Sequence, residues 1–294
     1  MQHVLGNKKA IAIFLLPALI FYVGAMVVPA VWSFVLAFMK GNPVRGFKFS
    51  GMHNIDRLLS DPQAHSALFF TLKYAVVITV GQILLGYGLA LLYVFALRRA
   101  STFVRTLVFF PVVVPTVAIA LLFNQMFAVS PQEGPVNSLL GIFGIHGIDW
   151  FASGDQAFIV IVVMDLWRTM GFFAVLLYAG LIEIPDEIID SARIDGASGW
   201  RLVRHIVLPM SLPVLLATII FSLNASLKVF DSIVALNNGG PGYQTTPLNL
   251  LMFKTAFTYG DFGYGSTLAL VITVVCLAVT LLIFRSSRRD LTKD

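Results

Sequence analysis

The chain has 294 residues, of which 58% are hydrophobic and 12% charged, with a formal net charge of +5. Ordinary soluble domains carry roughly 45–50% apolar and about 25% charged residues. This balance excludes a soluble protein and points to a chain immersed in lipid.

Crossing the hydrocarbon takes about 20 mostly apolar residues. Six runs meet that length: 10–38, 68–97, 103–128, 156–182, 210–236 and 266–284. The fold class that follows is all-α, a polytopic membrane protein with six transmembrane helices. The connecting pieces are too short to bury a core of their own, so residues 1–294 read as one transmembrane domain with its core at about 65–284. The first run follows Lys8 and Lys9, as the apolar part of a signal peptide would. That part runs only some 7–15 residues, whereas here apolarity continues to Phe38, and an uncleaved first helix is expected.

Turn-forming stretches separate the runs: MKGNPVRG at 39–46, SPQEGP at 130–135 and NNGGPGYQTTP at 237–247. A short helix is expected near 247–259. The LLGYG at 84–88 superficially matches an ion-selectivity filter, but its glycines lie mid-run, where close helix packing is the better reading. Placing both termini in the cytoplasm puts Lys8, Lys9, Arg98, Arg99, Arg105, Arg193, Arg201, Arg204, Arg285, Arg288, Arg289 and Lys293 inside, twelve of the twenty basic residues. The 129–155 loop has none, as the positive-inside rule asks of an outer loop, while the 39–67 loop dissents with Lys40, Arg45, Lys48 and Arg57. The single cysteine, Cys276, falls in the last run and reads as an inert thiol. The five histidines are scattered without metal-ligand spacing. No GxxxxGK[ST], HExxH or GxSxG is present, so the chain has no nucleotide-hydrolysing motif of its own, and no enzyme is expected.

Between the fourth and fifth runs lies DSARIDGASGWRLVRHIVLP, residues 190–209. Pro185 suits the first position of a helix, and Asp186 and Glu187 its positive end. Ile184, Ile188 and Ala192 form an apolar stripe opposite Asp186, Asp190 and Arg193. Gly196 is expected to end this helix in a left-handed turn, and Ser198 to cap a second short helix. There Trp200, Val203 and Val207 share one face and Arg201, Arg204 and His205 another, with Pro209 marking a break. Four acids against one arginine leave the first helix at −3, and an anionic inner leaflet repels such a face. It is therefore expected to meet a cationic cleft on a protein partner, while Trp200, Arg201 and Arg204 rest on lipid headgroups. A solvated acidic loop without a partner is the plainer alternative.

This stretch resembles the EAA motif of permease subunits of binding-protein-dependent ABC importers, in which Glu-Ala-Ala is followed after three residues by Gly and after nine more by Ile-x-Leu-Pro. Here Asp190, Ser191 and Ala192 stand at Glu-Ala-Ala, Gly196 follows within Asp195-Gly196-Ala197, and Ile206-Val207-Leu208-Pro209 closes the motif. Asp190 for Glu keeps the charge but shortens its reach. AGLIEIPDEI at 179–188 and NNGGPGYQTTPL at 237–248 resemble the carbohydrate branch, the maltose and sn-glycerol-3-phosphate permeases, and the likeness covers roughly residues 65–294. It implies a type I importer permease fold in a bacterial or archaeal cytoplasmic membrane. It also implies coupling helices at about 185–208 seated on two cytoplasmic ATPase subunits, a second permease subunit as heterodimer partner, and an extracytoplasmic solute-binding protein. ATP and its magnesium belong on the ATPase subunits, with no cofactor or metal on this chain. Lipid is the remaining partner, and nucleic acid is not one.

Polar groups within a span are costly, a charge at mid-helix by about 2.5–3.5 kcal/mol on insertion scales, so they are functional candidates. The fourth run offers Asp165, Trp167, Arg168 and Gly171, the fifth Ser222, Asn224, Ser226 and Asp231, and the third Asn124 and Gln125. Sugars need several donors and acceptors with an aromatic platform, and these residues supply that set. Each has a plainer reading. Asp165 and Arg168 form a structural ion pair; Trp167 packs; Asn124 and Gln125 bond across helices; Lys228 snorkels to the outer interface beside Asp231. A secondary transporter or channel would carry proton-linked carboxylates or internal symmetry, and Asp165 is the one mid-run acid. An intramembrane enzyme would need a nucleophile and base at a recognisable spacing, which the runs lack.

Overall fold

In lipid every backbone N–H and C=O has to be satisfied within the chain, so the apolar runs fold as helices. The computed structural model describes residues 8–97, 100–130 and 132–290. Of the features read above, Arg98, Arg99, Lys293 and Pro131, and the side chains of Lys8, Arg288 and Arg289, lie outside the described residues. The protein is mostly helical, as expected: α1 (Lys8–Tyr22), α2 (Val28–Leu36), α3 (His53–Ser60), α4 (Pro62–Leu91), α5 (Ser101–Val113), α6 (Thr116–Met126), α7 (Pro135–Gly141), α8 (Gly154–Ile182), α9 (Asp186–Ile194), α10 (Gly199–Leu202), α11 (Leu208–Leu227), α12 (Asp231–Asn237), α13 (Leu248–Phe253) and α14 (Phe262–Asp290). Wider π-turns continue α1 into α2 (Val23–Val27), extend α4 (Leu92–Ala96), join α10 to α11 (Val203–Val207) and extend α13 (Lys254–Thr258). α13 with its extension, Leu248 to Thr258, agrees with the short helix expected near 247–259.

Among the described residues, five helices are long and apolar enough to cross a membrane: Ile11–Leu36, Pro62–Ala96, Gly154–Ile182, Gly199–Leu227 and Phe262–Arg285. The expected third span, 103–128, is not one helix but α5 and α6, bent by 93°. Pro115 explains the break. Val114 before it is extended at ψ 136°, the conformation that a following proline imposes, and α6 starts afresh at Thr116. The expected fifth span, 210–236, ends early at Leu227, and α12 is a separate helix after a turn at Lys228–Phe230.

The described residues form two compact units, one running to Ala64 with Leu251–Thr273, the other His65–Leu250 with the chain from Val274 on. In the first unit, the stretch taken as a plain loop at 39–46 opens a hairpin of β1 (Met39–Asn42) and β2 (Gly46–Phe49), paired from Met39↔Phe49 to Asn42↔Gly46. Asn42 Oδ1 accepts from the amides of Val44 (3.1 Å) and Arg45 (2.8 Å) and closes the turn. Asn54 donates to the carbonyls of Ala37 and Met39, both at 2.9 Å, and Arg57 pairs with Asp261 at 2.6 Å while lying over the Tyr264 ring. The two strands are the one departure from an all-α chain among the described residues.

The second unit holds two cores. One joins α4, α6, α8 and α12 through Phe70, Tyr74, Ile119, Phe123, Met164 and Ile233. The other gathers Ala90, Leu177, Leu181, Ile184, Ile189, Ala192, Leu202 and Val207. Lipid removes most of the hydrophobic drive between helices, so close packing at small residues has to hold them together. The glycines of LLGYG do lie inside α4, and Gly86 abuts the backbone of Phe173. At Gly171 of α8 any Cβ would strike the Val108 carbonyl and Phe109 Cα of α5. Gly171→Leu is expected to cost about 1–3 kcal/mol through overpacking, read as a lower unfolding temperature of the detergent-solubilised protein.

Candidate functional sites: an elbow and a polar cavity

The acidic helix expected before Gly196 is α9, with Asp186 and Glu187 in its first turn and Arg193 in its last. Pro185 is its N-cap rather than its first residue, with ψ 136°. The far end is a Schellman turn: Gly196 sits at φ +86°, its amide donates to the Arg193 carbonyl at 3.0 Å, and the Ala197 amide donates to the Ala192 carbonyl at 2.9 Å. The apolar stripe is rotated from the expected one. Ile184, Ile189 and Ala192 are buried and Ile188 is exposed, because spacings of three, four and five all fit so short a helix. Asp190 is exposed and pairs with Arg193 at 3.1 Å, Ser191 Oγ donates to the Glu187 carbonyl at 2.7 Å, and Asp195 is the exposed C-cap. Ile194 stands 86% exposed at the tip, an outward apolar residue that the stripe argument missed.

The second helix departs further from expectation. Ser198 holds the N-cap position without a side-chain cap bond, and Trp200 is exposed while Leu202 and Val207 face the core. Pro209 does not break the chain. Gly199–Leu227 is one continuous helix, in which the π-turn Val203–Val207 widens the backbone ahead of the proline. The Leu208 amide reaches back to the Val203 carbonyl, and this widened turn accommodates Pro209, which has no N–H to donate, within the continuing helix. Ile206 and Leu208 are half-buried on that helix, and Pro209 is exposed. The elbow is thus seated on Leu91 at the end of α4, on Phe95 in its π extension and on Leu177 and Leu181 of α8, and it runs straight into α11.

A cavity of about 360 Å³ lies where α4, α5, α8, α11 and α12 converge. Asp165, 1% exposed, is its hub. Its Oδ2 accepts from Tyr74 Oη (2.6 Å) and Ser232 Oγ (2.9 Å), and its Oδ1 from Arg168 Nε and Nη2, each at 3.3 Å. A second chain of bonds adjoins it. Thr169 Oγ1 donates to the Asp165 carbonyl (2.5 Å), Gln82 Nε2 to Thr169 Oγ1 (2.8 Å), and Ser222 Oγ to Gln82 Oε1 (2.5 Å), with Thr79 Oγ1 3.0 Å from Ser222. Aromatic walls come from Phe172, Phe173, Phe221 and Phe230. Both broken spans reach this cavity, through Val112 and Thr116 at one bend and Lys228 to Asp231 at the other. Backbone irregularity at membrane depth is tolerated where it lines a cavity.

Of the residues singled out for substrate contact, Asp165, Arg168, Ser226 and Asp231 line the cavity. Six others point elsewhere. Asn124 donates to the Leu236 carbonyl at 3.0 Å; Gln125 is exposed at the end of α6; Trp167 packs 5.7 Å from the Phe123 ring; Gly171 meets α5; Ser222 is fully buried in the chain just described; Asn224 donates to Thr280 Oγ1 at 2.9 Å. Tyr74, Gln82, Thr169 and Ser232 were missed. They are polar atoms on apolar stretches, and only their convergence on Asp165, Gln82 through Thr169, across up to 91 positions of sequence reveals them. Lys228, read as a snorkelling residue, is among the residues lining the cavity.

The glycine-rich stretch 237–247 is a tightly bonded plug rather than an open loop. Asn237 Nδ2 donates to the Gly240 carbonyl (2.7 Å) and Thr245 Oγ1 (2.8 Å), Thr71 Oγ1 accepts from the Leu248 amide, and Gln244 Oε1 from the Gly154 amide at 2.7 Å.

Residues 82–290, which include the elbow and most of the cavity, match the family described as binding-protein-dependent transport system inner membrane component. The probable ABC transporter permease protein YurN of Bacillus subtilis is 31% identical over 280 residues, covering 94% of this chain and 95% of its own. The trehalose/maltose transport system permease protein MalF of Thermococcus litoralis is 34% identical over 240 residues, covering 82% and 80%. A crystal structure of a bacterial ABC transporter involved in the import of the acidic polysaccharide alginate contains a chain of the same fold, with TM-score 0.86 and 22% identity over 98% of this chain and 97% of that one. The chain therefore belongs to the family of inner membrane components of binding-protein-dependent transport systems, multi-pass permeases of ABC importers.

Proposed function

We propose that this chain forms half of the translocation pathway of an ATP-driven carbohydrate importer, its cargo a mono- or oligosaccharide or a related polyol. The observation that carries this reading is the cavity: a hydrogen-bonding set around Asp165 and Arg168 faced by four phenylalanines, which suits hydroxyl-rich rings with apolar faces. The sugar systems named for the relatives support it. In this reading both termini are cytoplasmic, an extracytoplasmic solute-binding protein delivers the cargo, and a second, non-identical permease completes the path. Two cytoplasmic ATPase subunits, carrying ATP and magnesium, receive the elbow.

The elbow's outward face suits that seat. Asp186, Glu187, Asp190 and Asp195 offer negative charge, and Ile194 at the tip offers an apolar knob of the kind a protein groove buries. The Asp190–Arg193 pair is exposed, so exchanging Arg193 for a groove cation costs little. Displacement of the elbow then acts directly on α11. Gly199–Leu227 is 29 residues of unbroken helix, about 43 Å at 1.5 Å per residue, and its far end supplies Phe221, Ser226 and, just beyond, Lys228 to the cavity. The test is reconstitution of the complete complex in proteoliposomes with a panel of sugars and polyols. ATP-dependent uptake of one of them, with matching stimulation of hydrolysis, is expected; uptake driven by an ion gradient without the ATPase subunits overturns the reading.

A further inference from the structure

A second crevice, of about 230 Å³, lies at the ends of α4 and α8 remote from the elbow, lined by Ser66, Phe69, Lys73, Asp155, Phe158 and Gln244. Lys73 Nζ lies 4.3 Å from the Phe158 ring centroid and 3.6 Å from Asp155 Oδ1. That ion pair is long and its Asp155 side chain is 96% exposed, so solvent screens it and both charges are available to other partners. Each charge also heads an apolar stripe at helical spacing. Below Lys73 come Val77, Val80 and Leu84, and below Asp155 come Ile159 and Val163, all exposed within the chain. The two helices come close at Gly81 of α4, which abuts the Leu166 side chain of α8.

Depth fixes the kind of surface this is. Lys73 precedes Ala96 by about 35 Å of helix and Asp155 precedes Ile182 by about 40 Å, at 1.5 Å per residue. A bilayer with its headgroups measures about 40–45 Å. With the elbow ends of these helices at one membrane face, the Lys73–Asp155 pair stands at headgroup level of the other, and the stripes run down the acyl region. We propose that this crevice binds a zwitterionic phospholipid bearing a primary ammonium. Its phosphate sits on Lys73, its ammonium on Asp155, and its chains lie along the two stripes. A cation beside an anion, each above its own apolar stripe, is complementary to a headgroup carrying both charges and to neither a purely anionic nor an uncharged one.

The complex is purified in mild detergent, exchanged into defined mixtures of phosphatidylethanolamine, phosphatidylcholine and phosphatidylglycerol, and weighed by native mass spectrometry. Retention of phosphatidylethanolamine about threefold or more over each of the others is expected, the scale of one exposed ion pair. Lys73→Glu and Asp155→Asn, both at exposed side chains whose change leaves the core intact, remove the preference. A photo-crosslinking residue at Phe69 labels lipid. Equal retention of the three lipids, an unchanged preference in both variants, or crosslinks to a protein subunit alone overturns the proposal.

Discussion

Gly196→Pro is expected to give a protein that inserts and accumulates normally but imports its cargo about 100-fold more slowly, the kinetic equivalent of the roughly 3 kcal/mol that a misplaced proline costs. Gly196 holds φ +86°, which proline, fixed near −65°, cannot reach. The substitution also deletes the amide that donates to the Arg193 carbonyl, one of the two bonds closing α9. The damage stays local, because Gly196 is exposed and a Cβ there meets nothing within 4 Å. The elbow's angle is what changes, and with it the presentation of Ile194 and the acids to the ATPase groove proposed above. The check pairs sugar uptake with ATP hydrolysis in the same vesicles, plus membrane quantification. Gly196→Asn, which tolerates the left-handed region, should recover much of the activity. Wild-type uptake by the proline variant would remove the elbow from the coupling path.

The elbow was legible because its demands fall on residue type. A positive φ calls for glycine, a helix start for acids, and both are written at fixed spacing between Pro185 and Gly196. The bends were not legible, because proline in these runs is ambiguous. Pro17, Pro111 and Pro213 sit inside helices, and Pro209 continues one through a π-turn, whereas Pro115 ends one. Neighbouring helices decide which freed carbonyls find other partners, and neighbours are invisible in a single run. The cavity was half legible for a related reason. A charge in mid-span such as Asp165 or Arg168 announces itself by its cost. Tyr74 and Ser232 carry no such cost in the sequence, and only the folded chain brings them to the carboxylate. Trp167 and Asn224 show the reverse: suitable chemistry turned toward a packing partner.

Asp165→Ala and Arg168→Ala should separate two roles that sequence alone leaves entangled. Removing the Asp165 carboxylate strands Tyr74 Oη, Ser232 Oγ and the Arg168 guanidinium together, in a site where the carboxylate is 1% exposed. Breaking a buried pair from one side costs about 3–5 kcal/mol. Asp165→Ala is therefore expected to lower the unfolding temperature sharply and to lose transport with it. Asp165→Asn keeps an acceptor for Tyr74 or Ser232 and should recover part of the stability but little transport. Arg168→Ala leaves Asp165 with both hydroxyl donors, and its own side chain is 24% exposed toward the cavity. Its stability loss should be smaller, about 1–2 kcal/mol for a charge-assisted bond partly open to water. The larger effect falls on cargo: half-saturation for uptake rises about tenfold or more, the worth of one charge-assisted hydrogen bond to a sugar hydroxyl. The measurements are thermal unfolding of the purified complex and concentration-dependent uptake for each variant. Equal loss of stability in both alanine variants, with unchanged half-saturation for Arg168→Ala, would make the ion pair a helix clamp and move the cargo site to Ser226, Lys228 and Asp231 on the other wall.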